Sequence, residues 1–291
     1  MKKFDVHIHS GMNGEARFDA KDVLGKLEKA GFFGGAVFSA SPGQVHGNST
    51  LNGHERLDAL LASVEGYRDR LLPLLWVHPD EDDLYPLIKE AAERGVVGFK
   101  VICNNFYVYE DKSLRMLEAI AAVDKPVMFH SGILWDDSES SKYNRPLHWE
   151  RLCTIPHLRF SLAHCSWPWY DECLALYGKF LTNHAKHPEL NNEMFFDMTP
   201  GTPPPYRKDL YTKLLLCEYD VSHNMIWGTD CNTGDYATEW AVKWDLMDNQ
   251  IMDELQVPEE TRELIFRKNM ERFFKLTDEE YVPKAPSSDG R

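Results

Sequence analysis

Short apolar runs alternate along the chain with longer stretches in which apolar residues recur every three or four positions. Runs at residues 4–8, 35–38, 72–77, 98–102, 126–129, 159–162, 194–196 and 225–227 read as strands. Stretches at residues 20–30, 55–67, 83–94, 113–123, 170–181 and 209–219 read as helices, several ending on Gly as a helix C-terminus prefers. Each strand is thus expected to carry a crossover helix, which forces neighbouring strands to run parallel. Eight such units in 291 residues predict an α/β fold of the closed (β/α)8 TIM-barrel type, which needs about 250 residues. A doubly wound sheet would place a glycine-rich phosphate loop after its first strand, and no such motif follows residues 4–8. C-terminal helices over residues 240–255 and 261–274 are expected to pack outside the barrel, with the Pro-, Ser- and Gly-bearing tail 284–291 frayed. No linker, repeat or low-complexity block divides the chain, so one domain over residues 1–291 is expected.

Composition narrows the function classes. With 43% apolar and 12% aromatic residues the chain can bury a large core, which excludes a disordered protein. Its 32 Lys and Arg against 46 Asp and Glu give a net charge of −14, which removes any general basic footprint for nucleic acid or anionic lipid. Apolar runs are strand-sized and fall far short of the roughly 20 residues that span a bilayer, so no membrane association is expected. The first residues enter a strand pattern without the apolar stretch of a secretory signal, which points to a cytoplasmic protein. The six cysteines are scattered without close pairing and are expected to be reduced thiols.

The chemistry concentrates at predicted strand ends. His7 and His9 stand at i and i+2, on one face of the first strand, so both can reach one ion. His130 ends the fifth strand, His164 the sixth, and Asp230 follows the eighth. In a barrel those ends form one mouth, where sites are built. A lone histidine beside a strand is ordinarily a hydrogen-bonded core residue, but four histidines and an aspartate converging on one mouth form a donor set for a borderline-soft divalent ion such as zinc.

At this point the chain resembles a known group. His7-x-His9, His130, His164 and Asp230, with the flanking segments KPVMFHSG, LAHCSWPW and IWGTDCN, resemble the metal-site signature of the amidohydrolase superfamily, in its second amidohydrolase-type branch. The likeness runs to RKNMERFFKL at residues 267–276. The resemblance implies that His7, His9, His130 and Asp230 hold one divalent metal ion, commonly zinc. It also implies that Asp230 and His164 act in catalysis, His164 as acid/base or as a further ligand. Lys100 ends the fourth strand, where some superfamily members carry a carbamylated lysine between two metals. A lysine paired with a carboxylate, or addressing an anionic substrate group, is the preferred reading, and with it a single metal.

Other residues are weaker candidates. Trp135 and Trp167, with Trp169, follow strands five and six and could wall an apolar pocket. Arg17, Arg145 and Arg207 fall in predicted mouth loops and could hold a substrate carboxylate, against the default of a surface ion pair. His78 reads as a capping or packing residue, and His46 and His54 as loop histidines. Cys165 and Cys231 read as packing residues beside the site. The branch includes metal-dependent hydrolases and decarboxylases, so the leading expectation is hydrolysis of a small-molecule ester, lactone or amide by metal-activated water. The alternative is non-oxidative decarboxylation of an aromatic or unsaturated carboxylic acid, which demands a cation near the metal. A degenerate, non-catalytic barrel is disfavoured by the intact donor set. The expected partner is a small-molecule substrate, and a homo-oligomer is compatible with the sequence.

Overall fold

A computed structural model of the protein describes residues 1–11, 15–45, 49–278 and 281. Nine parallel strands form one curled sheet: β1 (Phe4–His9), β2 (Gly34–Phe38), β3 (Leu71–Trp76), β4 (Gly98–Val101), β5 (Val127–Phe129), β6 (Arg159–Leu162), β7 (Glu193–Asp197), β8 (Met225–Ile226) and β9 (Cys231–Asn232). Neighbours pair in chain order from β1 to β8, as successive crossovers require. β8 pairs with β7, and β9, just downstream, pairs with β1 through Ile8 and His9. Between them, Val6 donates to the Trp227 carbonyl at 3.1 Å and Asp230 donates to the His7 carbonyl at 3.0 Å. One passage, residues 225–232, therefore closes the barrel, and Asp230 lies on that seam.

Helices α1 (Ala20–Lys29), α2 (Gly53–Ser63), α3 (Leu84–Glu93), α4 (Asp111–Ala122), α5 (Tyr170–Lys186) and α6 (Pro204–Leu216) make six of the crossovers. Local chemistry starts them as expected: Asp19 accepts from the Lys21 N–H, and Asn52 and Glu55 form a reciprocal capping box on α2. The expectation of a helix after every strand fails between β5 and β6. Residues 130–158 contain only the 3₁₀ segments Ser140–Tyr143 and Pro146–Thr154, because Pro146, Pro156 and a run of Ser and Asp interrupt any helical period. This long connection carries Leu134 and Trp135 over the mouth.

The C-terminus also departs from expectation. α7 (Thr238–Glu254), α8 (Glu259–Glu263) and α9 (Asn269–Phe273), the last two joined by a π-helical turn at Leu264–Lys268, do not all lie on the outer wall. Met270, Phe273 and Phe274 join Phe4, Val6, Leu72, Phe195 and Ile226 in the inner apolar cluster, with Phe273 edge-on to Phe195 at 4.8 Å. The apolar faces of these residues fill the barrel from the end where β1 begins. The tail at 284–291 lies outside the described residues.

The pairing of β1 with β2 slips by one residue between Asp5 and Ile8. Phe4 and Val6 belong to the inner cluster whereas Ile8 packs in the outer one. A bulge of this kind re-aims side chains, and here His7 and His9 both enter the mouth above the inner cluster.

Candidate metal and active site

A cavity of about 390 Å³ opens at the C-terminal ends of the strands. His7 and His9 come from β1, Trp76 from β3 and Lys100 from β4, Ile102 follows β4, and the connection after β5 supplies His130, Leu134 and Trp135. His164 and Trp167 follow β6, Gly201 follows β7, and Asp230 sits on the closing seam. The strand-end logic therefore brings His7, His9, His130, His164, Asp230 and Lys100 into one cavity, together with Trp135 and Trp167.

At its floor the Nε2 atoms of His7 and His9 are 3.2 Å apart, and Asp230 Oδ1 lies 3.4 Å from the first and 3.2 Å from the second. These three donors lie within 4.8 Å of one another. His130 lines the same cavity with its ring 5.1 Å from that of His164, and its buried Nε2 has no hydrogen-bond partner. An orphaned buried imidazole nitrogen beside a His-His-Asp trio is what a metal ligand looks like without its ion. The residues present thus fit a divalent cation that favours nitrogen and carboxylate oxygen.

Protonation favours the same reading. Burial and the nearby Lys100 charge push the His7 imidazole down to about 4, with Asp197 opposing them. Burial likewise lowers His9, and lowers His130 well below the ordinary histidine range. Burial alone would raise the Asp230 carboxyl, but the His9 hydrogen bond and the neighbouring His7 and His164 rings hold it well below the usual range. Neutral imidazoles and an ionised carboxylate are the forms that bind a metal.

Backbone geometry at the site is unusual. His164 and Asp230 have φ of +59° and +62°, a left-handed conformation that non-glycine residues adopt only when their surroundings hold it. His164 Nδ1 donates to the Pro200 carbonyl at 3.1 Å, which leaves Nε2 as an acceptor. The His164 side chain presses on Gly201, where a Cβ would come within 2.6 Å of the His164 Cβ and 2.7 Å of its ring. At Gly228 a Cβ would meet that of His7 at 2.7 Å, so the seam can approach β1 only without a side chain there.

Lys100 is fully buried, with Nζ 3.3 Å from His7 Nε2 and over the Phe38 ring at 4.8 Å. Among the described residues it has no carboxylate within 4.0 Å, so the expected pairing with an acid is replaced by a contact with the histidine cluster. Burial pushes its amine down to about 8, against the charges of Asp197 and Asp230.

The arginines are not where the sequence suggested. Arg207 lies within α6 rather than a mouth loop. It is fully buried, binding Asp248 through Nε at 2.8 Å and through a terminal nitrogen at 2.7 Å, and it reaches the Met198 carbonyl at 2.6 Å. Arg145 is spent on Glu172 at 2.9 Å and on the Trp169 ring, and exposed Arg17 lines a separate shallow groove with Glu55 and Asp58. Among the described residues no arginine lines the cavity. His78 is buried between Asn104 and Asn105, His54 pairs with Glu90 at 2.6 Å, and His46 lies outside the described residues. Cys165 and Cys231 are buried thiols, the latter pushed up to about 12, as packing residues would be.

Asp197, which sequence reasoning missed, ends β7 and accepts from His7 Nδ1 at 2.7 Å. It follows the predicted strand 194–196 directly, so the strand-end rule could have found it. Trp76, at the end of β3, was legible by the same rule.

A family model described as Amidohydrolase matches residues 4–276. The chain belongs to the amidohydrolase family. Solved structures of this fold include a probable 2-pyrone-4,6-dicarboxylic acid hydrolase from Acinetobacter baumannii with citric acid bound. It is 15% identical, with a TM-score of 0.64 over 94% of this chain and 100% of that one. The 5-carboxyvanillate decarboxylase of Novosphingobium aromaticivorans, with bound manganese, is 14% identical, with a TM-score of 0.63 over 94% and 97% of the two chains. The 2,6-dihydroxybenzoate decarboxylase from Rhizobium is 14% identical, with a TM-score of 0.61 over 95% and 99%. No curated protein matches the sequence significantly. This amidohydrolase shares its fold with hydrolases and decarboxylases alike, and among its described residues no helix is long and apolar enough to cross a membrane.

Proposed function

We propose that this amidohydrolase is a metal-dependent hydrolase of a small, uncharged ester, lactone or amide. One observation carries the reading: the cavity above His7, His9 and Asp230 is walled by Trp76, Ile102, Leu134, Trp135 and Trp167, and no arginine lines it among the described residues. A neutral acyl substrate suits such walls, whereas a carboxylate substrate calls for a cation that can grip it, and Lys100, the lysine that lines the cavity, is already turned to His7 Nε2 at 3.3 Å.

His7, His9, His130 and Asp230 would hold the ion, zinc being the candidate these donors favour. When bound, a divalent ion there polarises the substrate carbonyl and makes water more acidic. Asp230, held ionised and half-open to the cavity, takes the proton of the attacking water and returns it to the leaving group. His164, with Nδ1 fixed on the Pro200 carbonyl, offers Nε2 to orient that water. Trp135 and Trp167 exclude solvent around the apolar part of the substrate.

A second reading, decarboxylation, draws on Lys100, a buried cation beside His7 that a substrate carboxylate could meet. A panel assay separates the two. Metal-loaded protein is offered neutral lactones, esters and amides beside aromatic and unsaturated carboxylic acids, with ring opening, alcohol or amine release and carbon dioxide all followed. Hydrolysis of neutral members is expected. Carbon dioxide release that is lost in Lys100→Met, with no hydrolysis of any member, would overturn the proposal in favour of decarboxylation.

A further inference from the structure

We infer that Asp5 is a positioning residue for the metal site, tying the strand that carries His7 to the seam that presents Asp230. Strict alternation would put Asp5 on the face of His7 and His9, but the register slip in β1 turns it away. It does not line the cavity; its carboxylate is fully buried and takes four hydrogen bonds. Oδ1 accepts from the backbone N–H of His7 at 3.1 Å and of Thr229 at 2.9 Å. Oδ2 accepts from the Thr229 hydroxyl at 2.5 Å and the Tyr236 hydroxyl at 2.9 Å.

Oδ1 must accept, because both of its partners are backbone N–H groups, and at Oδ2 the Thr229 hydroxyl already accepts from the Cys231 N–H at 3.2 Å and so turns its proton to Asp5, which favours a carboxylate over a neutral group of that shape. Among the described residues no Lys, Arg or His forms an ion pair with it, so the four donors alone offset its burial. A buried acid without a counter-ion is costly, and an apolar residue would fill the space at less cost. What the carboxylate achieves is specific: two of its four bonds fix Thr229, the residue before Asp230. Asp230 is held at φ +62° with its own N–H on the His7 carbonyl at 3.0 Å. Asp5 and His7 therefore grip residues 229 and 230 from the same strand, which sets the 3.4 Å approach of Asp230 to His7 Nε2. Loss of the carboxylate would free the Thr229 peptide and let Asp230 relax out of its left-handed conformation.

The inference rests on the reading of His7, His9 and Asp230 as metal ligands, and cobalt(II) tests both. The dissociation constant of cobalt is measured by chelator competition, ligand geometry by its visible absorption spectrum, and stability by thermal unfolding. Asp5→Asn should bind cobalt at least about 10-fold more weakly, with an altered spectrum, the scale seen when a group that orients a metal ligand is removed. Tyr236→Phe, which removes a donor attached to neither ligand, should lower stability while leaving affinity and spectrum near those of the unmodified protein. Unchanged affinity and spectrum in Asp5→Asn would overturn the positioning role while leaving the metal site standing. Should Asp5→Asn fail to fold, Thr229→Val decides in the same way, weaker binding supporting the role and unchanged binding overturning it. An unmodified protein that takes up no cobalt would overturn the metal reading and this inference with it.

Discussion

His7 Nδ1 lies 2.7 Å from Asp197 Oδ2, both side chains fully buried, in a bond that joins β1 to β7. Asp197 also accepts from the Thr199 N–H at 2.9 Å and from the Thr199 hydroxyl, so its orientation is fixed. The bond leaves the proton of His7 on Nδ1 and turns Nε2 toward His9 and Asp230. Asp197→Asn should therefore weaken divalent metal binding by about 10- to 100-fold, because an amide can offer its NH2 and force the other tautomer. Chelator competition measures this, and an unaltered constant would show that the pair does not orient the ligand.

His164 is expected to matter for turnover more than for metal retention. Its Nδ1 is committed to Pro200 and it stands outside the trio of His7, His9 and Asp230. His164→Ala should lower kcat by about 100-fold or more, the usual scale for a positioned acid or base, with metal content by elemental analysis nearly unchanged. Equal loss of metal would make it a ligand.

The metal-free protein should lose stability in acid through its buried histidines. His7 titrates near 4 when folded against an ordinary value of 6.5, so between those limits the unfolded chain binds a proton that the folded chain refuses. The His7 share of stability is then full above pH 6.5 and falls as the pH drops toward 4, by about 3 kcal/mol, with His9 and His130 acting in the same direction and the raised Asp5 carboxyl in the opposite one. Urea unfolding at pH 7 and pH 5, compared between the unmodified protein and His7→Asn, isolates it from Asp5; the same pH dependence in both would show that the His7 imidazole is not held neutral.

Arg207 is expected to act on stability and not on substrate. Its pair with Asp248, which also accepts from Trp227 Nε1 at 2.7 Å, is fully buried, and breaking such a pair strands a charge. Arg207→Ala should cost about 3–5 kcal/mol in chemical unfolding, while the fraction that remains folded keeps its KM. A raised KM at unchanged stability would return Arg207 to the role of substrate anchor.

Trp135 should behave in the opposite way. It is 79% exposed at the mouth, nearly parallel to Trp167 with ring centres 6.5 Å apart, so little of the fold depends on it. Trp135→Ala should leave the melting temperature almost unchanged and raise KM for the best panel substrate roughly 2- to 10-fold, the worth of one aromatic contact. Unchanged KM would remove it from the substrate site.

The sequence by itself determined the parallel barrel and the strand ends that meet at one mouth, because alternation of apolar runs and helical periods is a local property that burial enforces. His7, His9, His130, His164 and Asp230 were legible for the same reason: each sits at or just after a strand whose run is unmistakable. The chain alone could not show that the β5–β6 connection lacks a helix or that residues 225–232 close the barrel as two short strand pieces. Nor could it show that Phe273 turns inward while Arg207 is consumed by Asp248. Those outcomes depend on which distant groups compete for the same space and the same hydrogen bonds. Asp5 shows the division most plainly. The sequence places it two residues before His7 on an alternating strand, but the one-residue slip against β2 sends its carboxylate to Thr229 and Tyr236, more than two hundred positions away, where only the closed barrel brings donors to meet it.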